Sequence, residues 1–240
     1  MPFLTAIWTA QEIAAETVET AKIAAVGTNG LVDWTTLDAY YTQGQVERAI
    51  RGSREDVWAE VALAVPSLLT QDEEIQWPNG AERIAINAPN QLLSQRPLFI
   101  TEVERSNTNV PGLINTSAPF RLRQVDFGSR YMTYGERWCC DGQYLWVLPL
   151  NMVGRKYRIH YVPTAPRLDI QDPSPITAIP AQFQRIIPVK AALKLLGTEN
   201  FQSPSLQGEV QELMQQLLRT IQPQDKQEAH RTRPGGQRGN

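Results

Sequence analysis

The chain has 240 residues, a formal net charge of −2, 42% hydrophobic residues and 20% charged residues. That composition excludes a disordered chain and leaves room for a buried core in one or two domains. It also excludes a global attraction to nucleic acid or anionic membrane, so any electrostatic function has to be local.

The first part reads as helical. "TAQEIAAETVETAKIAAVG" places Ile13, Thr17, Ala21 and Ala24 close to one face, with Gly27 suited to a C-terminal stop. "WTTLDAYYTQGQVERAIRG" predicts a second helix, with Leu37, Tyr41 and Ile50 apolar and Gly44 a weak point. A third, "SREDVWAEVALAVPSLL", opens with Ser53 as N-cap and aligns Val57, Val61, Ala64 and Val65 before Pro66 ends or kinks it. The acidic run Gln71–Glu74 reads as a solvated connector, because it lacks the spaced oxygen ligands of a calcium loop.

From about Gln76 to Val162 the pattern changes to short runs of β-branched and aromatic residues. These are "ERIAINA", "PLFITEV", "PFRLRQVDF", "RYMTYGE", "QYLWVLPL" and "RKYRIHYV", separated by turn formers such as Asn79-Gly80 and Pro111-Gly112. "ERWCCDGQYLWV" is the clearest hairpin, with Asp141-Gly142 expected to form a primed two-residue turn. An antiparallel sheet or small sandwich inserted between helical segments is the expected arrangement.

Helix returns in "AQFQRIIPVKAALKLLG", after Pro180 as a first-turn proline and with a kink or broken first turn at Pro188. Phe183, Ile186, Ile187, Ala191 and Leu195 are its apolar positions, and Gly197 its stop. "SLQGEVQELMQQLLRTI" is a last amphipathic helix with Leu206, Val210, Leu213, Leu217 and Ile221 on one face. Beyond Pro223 the chain is polar and Gly/Arg-rich, and reads as disordered when alone. The fold class is therefore α+β. Residues 1–75 are an N-terminal helical part, 76–163 an inserted β domain, 164–222 a C-terminal helical part packing on the first, and 223–240 a flexible tail.

Candidates for chemistry are few. The N-terminus lacks the basic head and long apolar stretch of a secretory signal, and no apolar run approaches the roughly 18 residues that span a bilayer, so no membrane role is expected. Asn115-Thr116-Ser117 fits a glycosylation sequon that is accidental without secretion. Cys139 and Cys140 are neighbours that point to opposite faces of a strand, so two free thiols in a reducing compartment are expected. His160 alternates with Ile159 and Tyr161, and a half-exposed strand histidine is a better reading than a catalytic base. A Cys139/His160 nucleophile pair would lie on nearby strands, but nothing signals its orienting partner or oxyanion hole. There is no zinc spacing, Walker loop or dinucleotide fingerprint, so neither metal nor cofactor is expected and an enzyme is the weaker reading. Trp34, Trp58, Trp77, Trp138 and Trp146 fit a core, with some open to use as interface anchors. The tail carries Lys226, Arg231, Arg233 and Arg238 against Asp225 and Glu228, which suits nucleic acid, an acidic protein surface or mere solubility.

One passage carries a resemblance. A strand ending "YRIHYVPTAPRLD", a proline-rich segment and then "IPAQFQRIIPVKAALKLL" with an amphipathic helix after it resembles the head-to-tail adaptor (connector) proteins of tailed bacteriophages. The matching positions are Tyr161-Val162-Pro163, then Pro180, Phe183, Ile186 and Ile187, then "KAALKLL". Upstream, "VERAIRGSREDVWAEVALAVPSLLTQDEEIQWPNGAERI" is similar to that family's N-terminal half. Pro188 and the length of the 101–120 loop depart from the pattern.

The resemblance implies a structural virion protein at the neck, made in the host cytoplasm. Twelve copies would form a ring under the portal, extend the channel through which genomic DNA passes and dock the tail or the next neck protein. In that family the C-terminal segment reaches the portal, which makes Arg219, Arg231, Arg233 and Arg238 the expected portal-facing residues. Five prolines, Pro163, Pro166, Pro173, Pro175 and Pro180, would hold the 162–180 crossover extended between a strand module and a helical module. The rivals are a thiol enzyme using Cys139 or Cys140, and a nucleic-acid-binding module using the basic tail.

Overall fold

The computed structural model describes residues 8–78, 81–87, 92–105, 120–131, 135–148, 156–166, 168–170, 179, 183–197 and 203–231, with 222–231 as backbone alone. The class is α+β, with helices and largely antiparallel sheets. Two compact units divide the chain: Met1–Val65 together with Ala165–Asn240, and Pro66–Thr164 between them.

In the first unit, α1 spans Ala10–Ala21, α2 Gln43–Ala64, α4 Ile186–Gly197 and α5 Pro204–Arg231. Helix α1 opens on a capping box, Thr9 with Glu12, which satisfies two otherwise orphaned N–H groups. It ends at Lys22, whose φ of 58° puts a left-handed residue at the cap without a glycine. The helix is therefore shorter than expected, and Gly27 instead sits by the small hairpin of β1 (Ala25–Val26) and β2 (Val32–Asp33).

The second and third expected helices are one. Helix α2 begins at a Thr42–Gln45 capping box and runs unbroken past Ser53, which is buried inside the helix rather than capping it. The stretch Trp34–Thr36 before it is a short 3-10 turn, not the start of an α-helix. Gly44 lies in the first turn of α2, where its low propensity costs least. Val65 closes the helix and Pro66 starts the single turn α3 (Pro66–Leu69) of the second unit, as a helix-ending proline should.

Helix α4 packs against α1, α2 and α5. Its Ile186, Ile187, Val189, Ala191, Ala192 and Leu195 are all buried, so it is the apolar centre of the unit. Pro188 falls in its first turn, where no N–H is needed, and the helix starts at Ile186 with Phe183 in the turn before it. Lys190 sits 2.9 Å from Glu60 and 3.6 Å from Asp56, and Lys194 2.9 Å from Asp56, pairing α4 with α2 along their edge. On α5, Met214, Leu217 and Ile221 are buried while Leu206, Val210 and Leu213 are half-buried. Helix α5 continues through Pro223 to Arg231, beyond where the sequence pattern ended it. Pro173, Pro175, Pro180 and residues 232–240 lie outside the described residues.

The second unit holds β3 (Gln71–Gln76), β4 (Arg83–Ala85), β5 (Pro97–Arg105), β6 (Phe120–Arg121), β7 (Arg123–Gln124), β8 (Arg137–Cys140), β9 (Tyr144–Leu148) and β10 (Lys156–Pro163). They form two four-stranded sheets, ordered β3-β10-β5-β6 and β4-β9-β8-β7. All pairs are antiparallel except β7 with β8. One core cluster draws Ile75, Val103, Tyr157 and Ile159 from the first sheet and Ile84, Trp138, Leu145 and Val147 from the second, the inner faces of a small sandwich.

Gln71–Glu74 is not a connector but most of β3: Asp72 and Glu74 point outward, whereas half-buried Glu73 shares the face of Ile75 and accepts from the Ser94 amide and hydroxyl and the Tyr161 hydroxyl, and Ile75 enters the core. Period-2 burial on one edge strand is easily masked by three consecutive acids. Conversely, "RYMTYGE" contributes no strand among its described residues: Arg130 follows the 3-10 turn Phe127–Ser129, and Gly135 has φ of 88°. The expected hairpin is present, but its turn is Gly142-Gln143, with Asp141 N–H bonded to the Tyr144 carbonyl at 3.2 Å. Gly142 has φ of 88° at the first turn position, where a side chain would be strained.

Candidate functional site

The residues proposed for chemistry do not converge. Cys139 is buried on β8 and Cys140 half-buried beside it, both free thiols. His160 lies on β10 in the other sheet, with Nε2 3.4 Å from Glu104 Oε2. It belongs to a charged outer face in which Arg121 pairs with Glu102 and Glu104, Lys156 with Glu74, and Arg158 with Asp72. Among the described residues no group of three or more His, Cys, Asp or Glu side chains is placed to hold a metal, and no helix is long and apolar enough to cross a membrane.

Burial, the largest cause, pushes both thiols above their usual range. A protonated thiol is a poor nucleophile at neutral pH. The sign of the resulting pH dependence follows. The unfolded chain loses these protons near pH 8.5 while the folded chain keeps them, so stability should fall as pH rises past that value. Thermal melts from pH 7 to 10 should show this fall, and it should be smaller in a Cys139→Ser/Cys140→Ser variant. Iodoacetamide at pH 8 should label Cys140 before Cys139; the reverse order would mean that Cys139 is accessible.

What the fold does assemble is an arginine–aromatic face on the outer side of the β4-β9-β8-β7 sheet. Strand alternation sends Leu145 and Val147 into the core and leaves Tyr144 and Trp146 on the opposite side. Arg83 on β4 is the register partner of Trp146, and its guanidinium lies 4.0 Å from the Tyr144 ring centroid and 5.0 Å from that of Trp146. The segment after β7 folds back over Trp146. Phe127 stacks on it at 5.7 Å with a 59° tilt, and the Arg130 guanidinium sits 3.8 Å from Phe127, 4.6 Å from Tyr131 and 5.2 Å from Trp146.

Hydrogen bonds hold that segment in place. Arg137 donates from Nε to the Arg130 carbonyl and from Nη1 to the Gly135 carbonyl, both at 2.7 Å. Arg130 Nη1 donates to the Phe127 carbonyl at 2.8 Å. In the hairpin turn, Asp141 Oδ1 accepts from the amides of Gln143 and Tyr144, and Oδ2 from the Trp146 indole at 3.3 Å. Burial works against that carboxylate, but these bonds and the nearby Arg83 outweigh it and hold its pKa below the usual range.

The face was not legible in advance. Trp146 reads from sequence only as core or anchor, and nothing in the sequence marks Arg83 or Arg130, because the face joins residues far apart in the chain. The Asp-Phe-Gly-Ser-Arg-Tyr run from 126 to 131 was the available signal. Of the expected portal-facing residues, Arg219 is exposed on α5 and Arg231 is its last residue, while Arg233 and Arg238 lie outside the described residues. The first unit also has an apolar hollow of about 230 Å³ beside Gln11, Ala14 and Trp34.

No protein-family model matches the chain, and no curated protein matches it.

Proposed function

We propose that the chain is a structural virion protein, a head-to-tail adaptor that forms a ring under the portal, extends the DNA channel and docks the tail or the next neck protein. The observation that carries this reading is the passage from strand to helix. Tyr161-Val162-Pro163 ends β10, and Phe183 precedes while Ile186 and Ile187 open the helix around which the rest of the helical unit packs. The same residues carry the resemblance to the adaptor family, so its motif has a structural job in this chain.

Part of the proline segment is also tied down. Arg54 is buried on α2, and its Nη1 donates to the Pro166 carbonyl at 2.5 Å. Proline cannot donate, but its carbonyl can accept, so a proline-rich strap can be anchored by a buried guanidinium. Thiols held above their usual range and a preorganised arginine–aromatic face favour a binding role over thiol catalysis.

Mass spectrometry of purified particles tests the reading. The chain should be present at about twelve copies per particle, the number that the resemblance to the adaptor family implies, arranged as a closed symmetric ring. Particles of full infectivity that lack the chain would overturn the reading.

A further inference from the structure

We infer that the Arg83–Arg130 face is a docking surface for a carboxylate-bearing segment of a partner protein. The inference deepens the adaptor reading and rests on it only for taking that partner to be a tail or neck protein.

Three observations carry it. Two guanidiniums lie over rings, Arg83 over Tyr144 and Arg130 over Phe127, so little ordering is left to do on binding. Among the described residues neither forms an ion pair with a carboxylate, and the Arg130 Nε is buried without a partner. The nearby carboxylate, Asp141, is already engaged by two amides and an indole. Beside the two arginines, Tyr131 is 60% exposed and Phe127 36%, large apolar surface of the kind that anchors protein contacts.

The chemistry favours a protein carboxylate over a nucleic acid. A guanidinium stacked on a ring still offers its N–H edge, which suits a planar carboxylate bonded in two-point fashion. Base stacking would need open ring faces, and those of Tyr144 and Phe127 already carry guanidiniums. Exposed Asp126, next to Phe127, and Asp141, near Arg83, oppose the repeating charge of a phosphate backbone more than they oppose a single carboxylate.

Fluorescence anisotropy with the full chain tests this, using a labelled peptide of alternating Glu and Leu, the same peptide with Gln for Glu, and oligothymidylate of matched charge. The Glu peptide should bind at least about tenfold more tightly than the Gln peptide and should weaken with salt. An Arg83→Lys/Arg130→Lys variant keeps the charge but loses the planar fork, and should bind the Glu peptide at least about fivefold more weakly. Arg83→Lys alone alters only an exposed side chain and should show part of that loss with unchanged circular dichroism. Tighter binding of oligothymidylate, equal binding of the two peptides, no saturable binding, or no effect of Arg83→Lys would overturn the inference. So would self-association of the wild type that the double variant abolishes, since a second copy would then cover the face. Copy number in particles is measured separately, so this inference and the adaptor reading fail independently.

Discussion

Replacing Gln184 with alanine should destabilise the helical unit by about 2–4 kcal/mol, the cost of leaving two largely buried polar groups unbonded. Gln184 is fully buried just before α4. Its Oε1 accepts from the Trp8 amide at 2.7 Å, and its Nε2 donates to the Ile179 carbonyl at 2.9 Å. One side chain thus ties together the chain entering α1, the end of the proline-rich segment and the start of the central helix. A Gln184→Met variant separates the two contributions, because it keeps most of the volume but makes neither bond. It should lose nearly as much stability as the alanine variant. Urea unfolding followed by circular dichroism measures both, and a loss under 1 kcal/mol in the methionine variant would show that packing, not hydrogen bonding, holds this junction.

That junction also shows what a sequence can and cannot disclose. Phe183, Ile186 and Ile187 were readable as an apolar helix face, and the structure buries all three. Gln184 between them carries no such signal, since its partners come from positions 8 and 179 and no periodicity announces those bonds. The same division holds elsewhere. Apolar period located α1, α4 and α5, but Ser53, plausible as a cap, lies inside α2, whose N-terminus is the Thr42–Gln45 box. The acidic edge strand β3 was hidden because its partner in register is β10, far along the chain. The arginine–aromatic face was hidden for the same reason: Arg83, Phe127, Arg130 and Trp146 meet only once the second sheet is built. Local chemistry is written locally, whereas sites made by topology are not.

Deleting the chain after Pro223 should leave the fold intact and sharply weaken docking to a portal ring. The last described buried side chains on α5 are Met214, Leu217 and Ile221, all before the cut. What is removed carries Lys226, Arg231, Arg233 and Arg238 against Asp225 and Glu228, with little apolar content to offset the entropy of ordering. In the adaptor reading these arginines make charge-assisted bonds to carboxylates or carbonyls of the portal. Each exposed contact contributes only about 0.2–1 kcal/mol, but a ring multiplies a small gain per subunit into a large loss on truncation. The backbone of α5 runs to Arg231, which places that residue on the helix that also displays exposed Arg219. An Arg219→Ser variant should therefore weaken docking as well, though less than truncation. Portal binding measured for the three proteins at low and high salt checks this, with circular dichroism as the control for folding. Docking of the full chain should weaken as salt rises, because its contacts are screened, and the truncated chain should lose most of that salt dependence. Unchanged affinity and salt dependence after truncation would move the docking contacts to the rest of the helices or to the sheets.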